Sequence, residues 1–166
     1  MNEIMNNTIN QQPAAPAKRP TYSLYAIDIS RWVEQKPAGG GKSLSYLSWA
    51  AAWHIVRRFF PDAVYEVIKA PDGRLFWADP TGFVVGVRLT LNGGEVYETW
   101  LPVMDAKNNS MRGEAYSYST KFGETQVPAA DMRDITDAIR RCLVKVIAEA
   151  TGLGLCLWVP QGLPQI

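Results

Sequence analysis

Residues 131–151 spell an amphipathic helix, and no other stretch limits the fold as strongly. At about 100° per residue, Ile135, Ile139, Cys142, Leu143, Val146, Ile147 and Ala150 form one apolar stripe. Arg133, Arg140, Arg141 and Lys145 fall on the opposite side, with Asp137 among them. From Ala138 to Ala148 there are three bases and no acid. One side can pack on a core while the other faces solvent or a polyanion. Asp131, Asp134 and Asp137 come early and the bases late, the order that the helix dipole favours in any solvated helix. Charge pattern alone therefore leaves both readings of the polar side open.

A chain of 166 residues with a 47% apolar fraction is expected to build one domain with a real core. The formal charge of +1 is small for a nucleic-acid binder. Any such contact must then rest on local clustering. No apolar run approaches the ~18–20 residues of a membrane span, and the first residues lack the charged start and apolar block of a signal peptide. The expectation is a cytoplasmic protein with no membrane partner. Cys142 and Cys156 are the two cysteines, and Cys142 sits in the apolar stripe as a buried, reduced thiol. One His, and no Cys or His pair at ligand spacing, give no metal site.

Along the chain, residues 1–20 read as a disordered arm, rich in Asn, Gln, Pro and Ala. Residues 22–34 suit a short strand or turn, and 35–43 a flexible loop. A helix is expected from Ser43 or Ser45 to about Phe60, ahead of Pro61. It has two apolar directions: Leu44, Leu47, Ala51, Ile55 and Phe59 on one, and Trp49, Trp53, Val56 and Phe60 on the other, with Tyr46 at its margin. An ordinary surface helix has one such stripe, so the second direction points to a subunit contact. Strand patterns follow at 63–69, around Leu75–Trp77, at 82–91 and at 95–103, the last two flanking the turn signal Asn92-Gly93-Gly94. Residues 105–130 read as a long, flexible polar connection in which Tyr116, Tyr118, Lys121 and Phe122 mix rings and charge. Leu155–Val159 could add an edge strand.

Several chemistries are suggested and then weakened by spacing. Gly39-Gly40-Gly41-Lys42-Ser43 resembles the end of a phosphate-binding loop, but Lys36 stands where that pattern needs Gly, and no buried strand precedes it. Pro102 spoils Leu101–Asp105 as a magnesium-binding strand end. Pro61-Asp62, Glu66 and Lys69 approach a metal-dependent nuclease pattern, yet Glu and Lys stand three apart where two are needed. His54, on a helix among aromatic residues, and Cys142, in a core stripe, lack the neighbours of a catalytic base or nucleophile. Trp49, Trp53, Trp77 and Trp100 could stack bases, with core packing the default for most of them.

Three segments in order carry a resemblance. They are Leu44-Ser45-Tyr46-Leu47-Ser48-Trp49-Ala50-Ala51-Ala52-Trp53; Trp100-Leu101-Pro102-Val103-Met104-Asp105 followed by Asn108 and Ser110; and Ile139-Arg140-Arg141-Cys142-Leu143-Val144-Lys145-Val146-Ile147-Ala148 leading to Gly152-Leu153-Gly154-Leu155. Over roughly residues 42–164 the chain resembles the Sak-type phage single-strand annealing proteins, grouped with the Rad-fifty-two-like recombinases. The stretch 112–130 is longer than the family's usual connection, and Thr136 replaces the Asn of its Asp-x-Asn pattern. The resemblance implies an α+β fold: a twisted antiparallel β-sheet (β-β-β-α core) with a preceding helix packed on it, in a domain spanning 21–166. It also implies assembly into a homo-oligomeric ring or filament. The implied activity is binding of single-stranded DNA and annealing of complementary strands without ATP, with no cofactor and no enzymatic step. A phage exonuclease and the host single-strand binding protein are the implied partners.

On this reading Arg140, Arg141 and Lys145 are the foremost DNA contacts, carried over from the family's last helix. Arg133 lies on the same side. Arg57, Arg58, Lys69 and Arg88 rank next, and Lys107, Arg112 and Lys121 could form a lid. Trp49, Trp53, Val56 and Phe60 are the expected oligomer interface. The competing readings are a passive single-strand binding module, a nuclease and a nucleotide hydrolase.

Overall fold

The computed structural model describes residues 23–37 and 43–158. The expected N-terminal arm, the glycine-rich loop at 38–42 and Val159 lie outside these residues. The fold is α+β, with antiparallel sheets and two helices.

Four strands form the central sheet: β3 (Val64–Ile68), β4 (Trp77–Asp79), β5 (Gly82–Leu91) and β6 (Glu95–Pro102). β5 is its spine. β6 pairs along one edge, from Leu91↔Glu95 to Val84↔Pro102. β3 and β4 share the other edge, β3 on Gly86–Thr90 and β4 on Gly82–Val84. The β5–β6 turn works as its sequence suggests. Asn92 and Gly93 both adopt left-handed backbone, at φ 50° and 67°, which matches the twist of the flanking strands.

The sheet alternates. Val85, Val87, Leu89 and Leu91 on β5 are buried with Thr99 and Leu101 on β6. Against them lies the long helix α2 (Met132–Thr151), with Ile135, Ala138, Cys142, Leu143, Val146 and Ile147 buried. Each such Leu, Ile or Val contributes ~1.5–3 kcal/mol on burial, which fixes the roll of α2 and hence where its bases point. Asp131 caps its start, accepting from the Arg133 and Asp134 amides at 2.7 and 3.0 Å, while Asp134 reciprocates. Gly152, at φ 80°, closes its end. The helix α1 (Trp49–Phe59) packs beside α2 and buries Ala52, Ile55 and Val56.

Three expectations are corrected. The first helix does not start at Ser43 or Ser45. Residues Ser43–Leu47 form β2, paired with β1 (Val33–Pro37) from Val33↔Leu47 to Pro37↔Ser43. Ser-Leu-Ser-Tyr-Leu alternates, and a pairing strand stands ten residues earlier, with Gln35 Nε2 donating to Ser45 Oγ at 2.9 Å. Residues 35–37 are thus strand, not loop. Second, residues 105–130 are not a structureless connection. Asp105 accepts from the Lys107 and Asn109 amides, each at 2.8 Å, and Met104 bridges Ser110. Beyond lies a hairpin of β7 (Tyr116–Thr120) and β8 (Gly123–Val127). Third, Leu155–Leu157 is a 3-10 turn and not a strand.

Candidate nucleic-acid interface

Burial of the apolar stripe of α2 leaves Arg133 and Arg140 exposed and Arg141 and Lys145 half-buried. The Arg140 guanidinium lies over the indole of Trp49, 5.7 Å from the ring centre. It also pairs with Asp137 at 3.3 Å. One residue on, the Arg141 guanidinium lies 5.8 Å from the ring of Tyr46. Lys36 Nζ, from β1, is 5.4 Å from that same ring. Four elements thus converge: β1 and α2 supply cations, while β2 and the start of α1 supply the rings. Glu34 stands opposite Tyr46 in the strand register and is the acid nearest in that ladder.

Arg141 differs from the other arginines. Like Arg57, Arg58, Arg112 and Arg133 it has no carboxylate partner among the described residues, but its Nε alone is buried without a hydrogen bond. The contact its guanidinium makes is with the π face of Tyr46. Cations held over rings keep their positive potential outward and lose little side-chain freedom when an anion arrives. Lys145 is more constrained, with Nζ 3.3 Å from the Trp100 carbonyl on β6 and 3.7 Å from Glu149.

The remaining basic residues do not join this cluster. Arg57 donates to the Ala63 carbonyl at 2.6 Å and holds the turn between α1 and β3. Arg88 is clamped between Glu66 and Glu98, each at 2.5 Å, so its charge is more than cancelled. The carboxylates also push its pKa up, Glu98 first. Arg88 therefore has no net charge left to offer a phosphate. Arg58, Lys69 and Lys107 are exposed at separate places. Arg112 covers the ring of Tyr116 at 4.0 Å.

The expected oligomer surface is also divided. Val56 and Phe60 are 0% and 3% exposed within a single chain, so neither can meet a neighbour. Trp53 is half-buried, edge-on to Tyr65 at 4.9 Å. Trp49 is 39% exposed but serves Arg140. The two apolar directions along 44–60 arise only if Leu44 and Leu47 count as helical. Once they belong to β2, one buried stripe remains, and Phe59 turns to solvent.

Tyr46 and Lys36 escape sequence reasoning as site residues. A helix from Ser43 puts Tyr46 on its margin and leaves Lys36 in a loop. The alternation of Ser43–Leu47 is the signal that could have found them.

Two near-motifs of the sequence take other geometries. A phosphate-binding loop must open a helix, yet Ser43 opens a strand. Glu66, needed for a nuclease, is bound to Arg88. Among the described residues, no three His, Cys, Asp or Glu groups gather where they could hold a metal ion. No helix there is long and apolar enough to cross a membrane. Burial pushes the Cys142 thiol up to about 11, and it donates to the Thr99 carbonyl at 3.4 Å. That thiol is a core group.

A sequence model of the Sak Single Strand Annealing Protein family matches residues 21–166. No curated protein matches the chain.

Proposed function

The chain belongs to the Sak single strand annealing protein family, and from that premise we propose that it binds single-stranded DNA along the Lys36–Tyr46–Trp49–Arg140–Arg141 cluster and anneals complementary strands without ATP. The observation that carries this reading is the convergence of three cations on two aromatic rings, beside a guanidinium that has no acid to neutralise it.

The physics is that of repulsion relieved. Two complementary strands repel through their phosphates, and Arg and Lys offset that repulsion while releasing counterions. Phosphate contacts hold a strand without reading its sequence. Gripped by the backbone, a strand keeps its base edges free for a second strand. Pairing and stacking then supply the driving free energy, so no hydrolysis is needed and no residue acts as a catalyst. Arg140, Arg141 and Lys145 grip phosphates, with Arg133 extending the row along α2. Lys36 contributes from β1. Tyr46 and Trp49 set the height of the cations and offer faces to a base. Arg58, Lys69 and Lys107 belong to outer contacts. One such cluster holds few nucleotides, so self-association would align several. Annealing needs exposed strands, which a nuclease that resects duplex DNA would supply.

The test is annealing of labelled complementary oligonucleotides by the full chain, without ATP or magnesium, across a salt series. Acceleration that fades with salt, with no loss of strand, is the expected result. Binding without acceleration would make it a passive binder; in a parallel incubation with magnesium and ATP, cleaved DNA or released phosphate would make it an enzyme.

A further inference from the structure

The hairpin β7–β8 ends in an unusual pair of residues. Phe122 is 89% exposed, more than any other large apolar side chain described. Lys121 Nζ lies 4.9 Å from its ring centre. The pair is held in place. Thr120 Oγ1 donates to the Gly123 carbonyl at 2.9 Å and accepts from the Phe122 amide at 3.1 Å. Lower down, Tyr116 Oη donates to the Ser110 carbonyl and Tyr118 Oη to Asn109 Oδ1, both at 2.7 Å. These bonds fasten the hairpin to the 105–110 turn, so the ring is presented on a braced arm.

We propose that Lys121 and Phe122 form a second nucleic-acid contact, in which Phe122 stacks on an unpaired base and Lys121 meets an adjoining phosphate. This rests on the single-strand reading above and adds a contact to it. The chemistry of the arm favours a base over a protein partner. A stable protein interface needs roughly 800 Å² per partner around an apolar centre. The arm offers the Phe122 ring at its tip, and lower down Tyr118, 39% exposed with its hydroxyl tied to Asn109, among Ser117, Ser119, Thr120, Glu124 and Gln126, all polar and exposed. That is enough for one base, whose flat face matches a phenyl ring in size. Because the turn is already ordered, stacking costs little conformational entropy.

The test compares the parent chain with Phe122→Ala, Phe122→Tyr and Lys121→Ala in binding an unpaired oligonucleotide at several salt concentrations. The ring makes no core contact, so the variants fold as the parent does, which circular dichroism checks. Phe122→Ala should weaken binding about tenfold by the same factor at every salt concentration. Phe122→Tyr should restore it, and Lys121→Ala should lower the salt dependence. A photoreactive benzoylphenylalanine at position 122 should crosslink to the oligonucleotide. Unchanged binding by Phe122→Ala, or crosslinking to a second protein copy only, overturns the assignment while leaving the cluster on α2 intact. A parent chain that binds no oligonucleotide overturns both.

Discussion

Trp100 on β6 covers Gly86 on β5, its register partner, so closely that a methyl group at Gly86 would come within 2.7 Å of two indole ring atoms. The glycine makes room for the ring on the outer face of the sheet, where Trp77 meets Trp100 edge-on at 6.0 Å. Gly86→Ala should therefore destabilise the fold by about 1–3 kcal/mol, read as a lower midpoint in urea. In a Trp100→Ala background the same change should cost much less. Additive effects in that double-mutant cycle would show that the ring does not confine the glycine.

Arg141 and Arg88 should respond oppositely. Arg141→Ala should weaken binding to every single-stranded sequence alike, by roughly tenfold, and reduce the salt slope by ~0.7 for each phosphate that is no longer neutralised. Arg88→Ala should leave affinity unchanged, because Glu66 and Glu98 already hold that guanidinium. It should instead lower thermal stability, since two carboxylates then face each other unpaired. Fluorescence anisotropy and thermal melts separate the two outcomes. A loss confined to one sequence after Arg141→Ala would contradict phosphate gripping.

The cap of α2 makes an acid-side prediction. The Asp134 amide, first of all, together with the Arg133 amide, holds the Asp131 carboxyl below its ordinary 3.8. A lowered pKa contributes stability that is full above the ordinary value and is lost as the pH falls through the folded one. Asp131→Ala should lower Tm by about 2–4 °C at neutral pH. That gap should close below pH 3.8 as the carboxylate protonates. A gap that stays constant far into the acid range would refute the charged cap.

The cysteines differ on the alkaline side. Cys142, pushed up to about 11 from 9.0 by burial, stays a thiol, whereas Cys156 is exposed. Alkylation at mildly alkaline pH should label Cys156 alone in the native protein and both in urea, as mass spectrometry would show. The raised pKa means that the thiol's contribution is full below pH 9.0 and is lost as the pH rises through about 11. Cys142→Ala should flatten the stability curve over that window. Rapid labelling of Cys142 in the native chain would overturn its placement in the core.

Some elements are legible in the sequence because one local signal suffices. The period of α2, its Asp131 cap and its Gly152 stop all lie within a single stretch, and the Asn92-Gly93 turn fixes β5 against β6. The β7–β8 hairpin is not legible, because Tyr-Ser-Tyr-Ser-Thr and Gly-Glu-Thr-Gln-Val bury little and alternate no strong apolar face. The stretch Ser43–Leu47 misleads because its serines suit a helix cap as well as a strand. Only a partner at Val33–Pro37 decides between them.

The candidate site divides along the same line. The amino-acid order alone determined that Arg140, Arg141 and Lys145 share the polar side of a helix, since backbone geometry repeats about every 3.6 residues wherever that helix packs. Only the tertiary structure decided which charges remain available. Arg88 is neutralised by carboxylates from two neighbouring strands, and Arg141 gains the ring of Tyr46, far away in the chain. Cross-strand ion pairs and ring contacts join residues that no local period connects, so they exist only once the sheet and the helices have packed.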